Sequence, residues 1–88
     1  MIGRRVYPEE NGYPQLAPGD YGKDKDGHWW CKPPIEAPGM AGLLTNHNVI
    51  EHEDGTITVS PSILVSTRWG EMTFTWHGFL ERGVWRNA

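Results

Sequence analysis

Residues 49–63 read VIEHEDGTITVSPSI, and this stretch decides the fold of the chain. Two extended runs flank Asp54-Gly55, and this dipeptide is a strong short-range signal for a two-residue hairpin loop. A loop at these two positions sets the register, because pairing proceeds outward by one residue on each strand. The stretch therefore predicts an antiparallel hairpin in the middle of the chain.

The predicted register assigns the hairpin side chains to two faces. One face is predicted to hold Ile50, His52, Ile57 and Val59, and the other Glu51, Glu53, Thr56 and Thr58. Neighbouring residues of a strand point to opposite faces, so neither flanking glutamate can orient the His52 ring. His52 is therefore predicted to be a half-buried structural residue rather than part of a chemical site.

Short β segments are also predicted on the C-terminal side of this hairpin. Pro61 is expected to end or break the ladder, and a new run starts at residues 63–65. Residues 68–71 form a predicted turn, and residues 72–76 alternate as in a half-buried strand. Residues 81–83, Glu-Arg-Gly, are predicted to be a three-residue hairpin loop.

The N-terminal side of the chain is rich in proline and glycine. Residues 1–20 contain three prolines and are predicted to form an irregular arm packed on the body. A strand is predicted at residues 28–31, and residues 33–42, with three prolines and two glycines, form a loop. The chain is thus predicted to be a mostly β domain over residues 21–88, with about six short antiparallel strands in a small barrel or sandwich.

Composition and charge exclude several classes of protein. The 88 residues suffice for one domain, and 38% hydrophobic residues argue against disorder. A net charge of -3 argues against a nucleic-acid partner. No apolar run approaches the roughly 20 residues of a membrane span, and MIGRRVYPEENG lacks the apolar core of a leader. The single cysteine fits a reducing compartment, so we expect a cytoplasmic protein.

The histidines and Cys31 are the candidates for metal or acid–base chemistry. His28 and Cys31 have the two-residue spacing of zinc knuckles, but no second cysteine accompanies them. A free cysteine commonly behaves as a small buried hydrophobe. We therefore predict no metal and no other cofactor. The alternatives are a zinc site of His28, Cys31 and His77, or a zinc-dependent or acid–base enzyme using His28, Cys31, His52 and His77.

The five tryptophans are the most unusual feature of the composition, because tryptophan is enriched at binding hot spots. Trp76 shares a face with Phe74 and is predicted to lie in the core. Trp69 follows Arg68 in a predicted turn and is the best candidate for an exposed contact. The predicted partner-binding residues are Trp69, Arg68, Glu51 and Glu53.

Three segments carry a resemblance to known sequences: DGHWW at 26–30, EHEDGTITVSPSILVS at 51–66 and WHGFLERGVW at 76–85. Together they resemble a family of small uncharacterised phage and prophage proteins, which share D-G-T-I-T-V-S-P-S-I and a W-H-G-aromatic-L-E-R-G-V-W ending. The resemblance covers about the last two thirds of the chain. Some members are labelled ammonia monooxygenase, an activity against which the absence of a membrane span and of a metal cluster in this sequence argues.

The ending is also similar, more distantly, to a cysteine-containing bacterial domain of unknown function. The match includes His77, Phe79, Val84 and Trp85. Alanine, glycine and threonine stand where the cysteines of that domain fall, so no metal site carries over.

The resemblance implies a phage or prophage origin and leaves the activity open. We expect a non-enzymatic accessory protein in the host cytoplasm that binds a host or phage protein, for example as an inhibitor of a bacterial defence system. Besides the enzyme above, a small virion structural protein is an alternative, in which edge strands pair between copies. Self-association is therefore considered, whereas no membrane partner is expected.

Overall fold

The computed structural model describes residues 1–37 and 39–88, and these residues form two sheets of four strands. The first sheet has the order β1-β2-β3-β4 and the second β5-β6-β7-β8. The strands are β1 (Arg4–Val6), β2 (Asp20–Lys23), β3 (Trp29–Cys31), β4 (Gly42–Leu43), β5 (Asn48–Glu51), β6 (Ile57–Trp69), β7 (Met72–Glu81) and β8 (Val84–Asn87).

The prediction of a mostly β chain is confirmed, since none of the described residues is helical. Residues 1–37 and 39–88 contain eight strands where about six were predicted, and these strands do not close into a barrel. Within the described part of the chain, no helix has the length and apolarity needed to cross a membrane. The predicted loop at 33–42 gives way to β4 at Gly42, and Pro38 within it lies outside the described residues.

The quoted hairpin forms with a register one residue away from the predicted one. Glu51 pairs with Ile57, and the His52 N–H donates to the Thr56 carbonyl at 2.8 Å. The loop therefore has three residues, 53–55, and Gly55 takes the left-handed position with a φ of 86°. Asp54 Oδ1 accepts from the Thr56 N–H at 3.0 Å, which stabilises this longer loop.

This register corrects the predicted faces of the hairpin. Ile57 and Val59 are buried, whereas Ile50 pairs with Thr58 and is 58% exposed. His52 also lies on the Thr58 side, where its Nε2 hydrogen-bonds with Thr58 Oγ1 at 2.7 Å. The one-residue shift moves every side chain of the first strand to the other face. His52 is half-buried, as predicted, but not beside Ile57.

Pro61 does not end the strand, which corrects the predicted break. β6 continues for 13 residues, and its register with β7 shifts between Val59 and Ile63. A bulge of this kind accommodates a residue that has no N–H to donate. The two predicted segments are therefore one long strand.

Two short loops join the C-terminal strands. Trp69 pairs with Met72 around Gly70-Glu71, which confirms the predicted turn near residues 68–71. Glu81 pairs with Val84 around Arg82-Gly83, so this loop has two residues and not the predicted three. Both of its residues have positive φ, which is the conformation of a type I′ turn.

The predicted irregular arm, residues 1–20, contributes to both sheets. The Trp85 N–H donates to the Met1 carbonyl and the Gly3 N–H to the Gly83 carbonyl, at 2.8 and 2.7 Å. β1 then pairs in parallel with β2. Regular structure forms here because the first proline of the arm, Pro8, comes after β1. The first six residues thus join the two sheets.

The core lies where side chains of both sheets meet. Its buried residues are Tyr21, Cys31, Met40, Leu44, Ile57, Val59, Ile63, Trp76, Leu80 and Trp85. Trp76 and Trp85 contact each other edge to face, with ring centroids 5.2 Å apart. The predicted core positions of Trp76 and Cys31 are confirmed.

Candidate functional site

The residues of the alternative zinc site do not come together. Cys31 is fully buried in the core, and burial raises the pKa of its thiol to about 12. His77 lies on the exposed side of the second sheet, where its Nε2 is 3.0 Å from Ser62 Oγ. His28 precedes β3 with a largely exposed side chain. Cys31 therefore stays protonated and away from the two histidines.

One group of possible metal ligands occurs among the described residues, formed by Asp24, Asp26 and His28, with ligand atoms within 4.8 Å of one another. Asp24 Oδ1 accepts from the backbone N–H groups of Asp26 and His28, and its Oδ2 accepts from Trp30 Nε1 at 2.9 Å. These hydrogen bonds, that of Trp30 first, lower the pKa of Asp24. The cluster is therefore explained as a turn that fixes the Trp30 ring.

Glu51, a predicted partner contact, joins the two sheets. Its carboxylate is 2.9 Å from Arg5 Nη1 and 3.4 Å from Lys23 Nζ, both on the first sheet. The Arg5 guanidinium also lies 4.8 Å from the ring centroids of Tyr7 and Trp29. The hydrogen bond from Arg5 is the main reason why the pKa of Glu51 is lowered. We call Arg5, Lys23, Trp29 and Glu51 the intersheet clasp.

Glu53, the second predicted acidic contact, lies in the hairpin loop and is exposed. Together with Glu51, His52, Asp54 and Arg82, it lines an open polar hollow. The Asp54 carboxylate is engaged by the N–H and hydroxyl of Thr56. Asp54 therefore stabilises the loop and Glu51 joins the two sheets, whereas Glu53 has no hydrogen bond or ion pair among the described residues.

Trp69 and Met72 form an exposed apolar pair at the far end of the second sheet. They are 66% and 60% exposed and face each other across the β6–β7 loop. The pairs Thr67–Phe74 and Val65–Trp76 follow on the same face, and Trp76 is buried. An apolar row therefore runs from the core out to solvent. We call Arg68, Trp69 and Met72 the hairpin tip.

The four predicted contact residues do not form one surface. Glu51 pairs with Ile57 at the start of β6, whereas Trp69 is its last residue. Twelve residues of extended strand span about 40 Å. The hairpin tip therefore lies at one end of β6, and the loop at residues 53–55, with Glu53, lies at the other.

A groove between the N-terminal arm and the first sheet was not predicted. Its volume is about 230 Å³, and it is lined by Tyr13, Pro14, Leu16, Trp30, Lys32, Gly39 and Ala41. The Tyr13 and Trp30 rings meet edge to face with centroids 6.4 Å apart. An irregular arm has no periodicity from which its docking position could be predicted.

Comparison with known proteins leaves the site to be interpreted from its own geometry. No protein-family model, curated protein or solved structure matches the chain.

Proposed function

We propose that this chain is a non-enzymatic phage or prophage accessory protein that binds a host or phage protein through the hairpin tip. The observation that carries the proposal is the exposure of Trp69 and Met72 at the end of an apolar row. Exposed large apolar groups in one patch mark interaction surfaces. Tryptophan and arginine are also the residues most enriched at binding hot spots.

The chemistry of the hairpin tip suits a protein partner. Trp69 supplies a large apolar surface with few rotatable bonds, so little conformational entropy is lost on binding. The Arg68 guanidinium bonds to the Gly70 carbonyl at 3.3 Å and has no carboxylate partner among the described residues. An acidic or carbonyl group of the partner would complete its hydrogen bonds.

The origin and biological role rest on the sequence. The D-G-T-I-T-V-S-P-S-I segment and the WHGFLERGVW ending support a phage or prophage source. A small acidic chain with a net charge of -3 is compatible with inhibition of a bacterial defence system by direct binding. This role would place the protein in the host cytoplasm.

Affinity capture from the native host, before and during phage growth, tests the proposal. We expect one saturable partner, whose dissociation constant rises at least about tenfold with Trp69→Ala, equivalent to about 1.4 kcal/mol. Ile2→Ala is the matched control, because Ile2 is 82% exposed on another part of the surface. An affinity that is unchanged by Trp69→Ala and Arg68→Ala would exclude the hairpin tip.

A further inference from the structure

β6 has one long edge without a neighbouring strand. β5 pairs with β6 only as far as Ser60, whereas β7 accompanies it to Trp69. Among residues 1–37 and 39–88, no strand pairs with the other side of residues 62–69. A sheet edge of this kind presents unpaired N–H and C=O groups to other chains.

The hydrogen-bond pattern identifies the groups at this edge. In an antiparallel pair, successive residues direct their backbone groups alternately towards the partner and away from it. The Ser62 carbonyl points away from β7, because it accepts from His47 Nε2 at 3.1 Å. On β7, the His77 carbonyl points away from β6 and accepts from the Ala88 N–H. Leu64 pairs with His77 and lies two residues after Ser62, so its backbone groups also point away from β7. The same alternation directs the backbone groups of Ser66 and Arg68 to the open edge.

Over most of its length this edge lacks the residues that usually block strand pairing, and Arg68 is its one charged side chain. Such edges are protected by charged side chains, prolines or bulges. Residues 62–67, Ser-Ile-Leu-Val-Ser-Thr, contain neither charge nor proline, and Leu64 is 64% exposed. The other open edges are shorter: β1 has three residues, β4 two, and β5 and β8 four each, while β7 extends beyond β8 by the five residues 72–76.

We propose that two copies of the chain pair antiparallel along this edge, about a two-fold axis at Ser66. Leu64 of each copy then lies opposite Arg68 of the other, and the two Ser66 residues face each other. The pairing brings no like charges together and packs the exposed Leu64 against the aliphatic part of Arg68. Leu64, Ser66 and Arg68 of each copy supply the backbone donors and acceptors of this contact between the two strands, which we call the seam.

The contact of His47 with Ser62 sets the length of the seam. The Ser62 carbonyl is already occupied, so pairing ends at Leu64 and at Arg68 of the facing copy. Trp69 lies just beyond the seam and stays accessible. Six residues of antiparallel strand separate the two Trp69 positions by about 20 Å. The dimer goes beyond the proposed function, because it presents two hairpin tips and can raise the avidity for a multivalent partner.

The solution mass of the chain tests this pairing. We expect a concentration-dependent mass that approaches twice 10.0 kDa in the micromolar to millimolar range. Ser66→Lys or Ser66→Glu puts like charges opposite each other, and each variant should raise the dimer dissociation constant at least about tenfold. Mixing the two variants should restore a dimer, because opposite charges then face across the axis.

Thr75 provides the matched control for these substitutions. Its Oγ1 hydrogen-bonds with Ser66 Oγ at 3.0 Å, and it lies opposite Ser66 on the other edge of the hairpin. Thr75→Lys and Thr75→Glu lose the same hydrogen bond and should leave dimerisation unchanged. A mass of 10.0 kDa throughout the range, or equal effects of Ser66 and Thr75 variants, would overturn the inference.

A further variant separates this inference from the proposed function. Trp69→Ala should leave the dimer intact, because the seam ends before Trp69, while it weakens binding of the partner. Loss of partner binding in an intact dimer supports both proposals. If the protein is a monomer and still binds its partner through Trp69, only the dimer proposal is overturned. If the protein is a dimer and Trp69→Ala leaves partner binding unchanged, only the proposed role of the hairpin tip is overturned.

Discussion

At the scale of single residues, Arg82 carries a backbone conformation that its side chain disfavours. Its φ of 46° lies in the left-handed region, which costs an ordinary residue about 1 kcal/mol. Asparagine tolerates this position of a type I′ turn. Arg82→Asn should therefore raise the free energy of unfolding by about 0.5–1 kcal/mol in urea titrations. Arg82→Ala removes the same charge without relieving the backbone, and an equal gain there would contradict the explanation.

Asp24 provides a prediction for acid stability. Hydrogen bonds, first that of Trp30, lower its pKa in the folded state. A lowered carboxylate pKa stabilises the fold above the unfolded-state value of about 3.9, and this contribution disappears as the pH falls through the folded value. Trp30→Phe removes the indole donor and should move acid unfolding to higher pH, as measured by circular dichroism. Trp69→Phe changes an exposed ring and should leave the acid midpoint in place.

At the scale of elements, the N-terminal strand pairing depends on Gly3. A Cβ on this residue would lie 2.7 Å from both Gly19 O and Trp85 Nε1, which are joined by a hydrogen bond. Gly3→Ala should therefore lower the free energy of unfolding by about 1–3 kcal/mol in denaturant titrations. Ile2→Ala changes an exposed neighbour and should cost less than about 0.5 kcal/mol. Equal costs would show that close approach at Gly3 is not the cause.

Sequence patterns predicted most elements but not their exact register. Alternation and turn residues located the hairpins around residues 54, 70 and 82, because both signals are local. The loop lengths at residues 53–55 and 82–83 were wrong by one residue. A hydrogen bond from the Thr56 N–H to the Asp54 carboxylate favoured the longer loop, and Arg82 adopted a conformation that its residue type disfavours. Pro61 was wrongly predicted to break a strand. A bulge in the pairing of β6 with β7 accommodates it, and the sequence around Pro61 does not show how the partner strand pairs.

At the scale of the whole molecule, the intersheet clasp holds the two sheets together. Glu51→Gln removes the charge that Arg5 and Lys23 share, so it should lower the melting temperature at low ionic strength. The difference from wild type should shrink as salt is added, because partly exposed ion pairs are screened. Glu53→Gln is the control and should have little effect at any salt concentration. A salt-independent loss would indicate packing rather than charge.

The candidate site could be predicted only in part. Trp69 was predicted to be exposed because it was placed in a turn; it is exposed, but as the last residue of β6. The ion pairs of Glu51 were not predicted. The partners of Glu51, Arg5 and Lys23, are 46 and 28 residues away in sequence. The arrangement of the two sheets determines such distant contacts, and local alternation carries no information about it. For the same reason, sequence could not show that Glu51 lies beside the start of β6 and Trp69 at its end.

The pairing of Met1 and Gly3 with the strand around Trp85 has a consequence for synthesis. The Met1 amino group and the Trp85 carbonyl are 84 positions apart and hydrogen-bonded. The ribosome releases residue 85 long after residue 1, so this contact cannot form on the nascent chain until residue 85 has emerged. Contacts that close such long loops also slow folding, because the entropy of loop closure is lost before the contact can stabilise the chain.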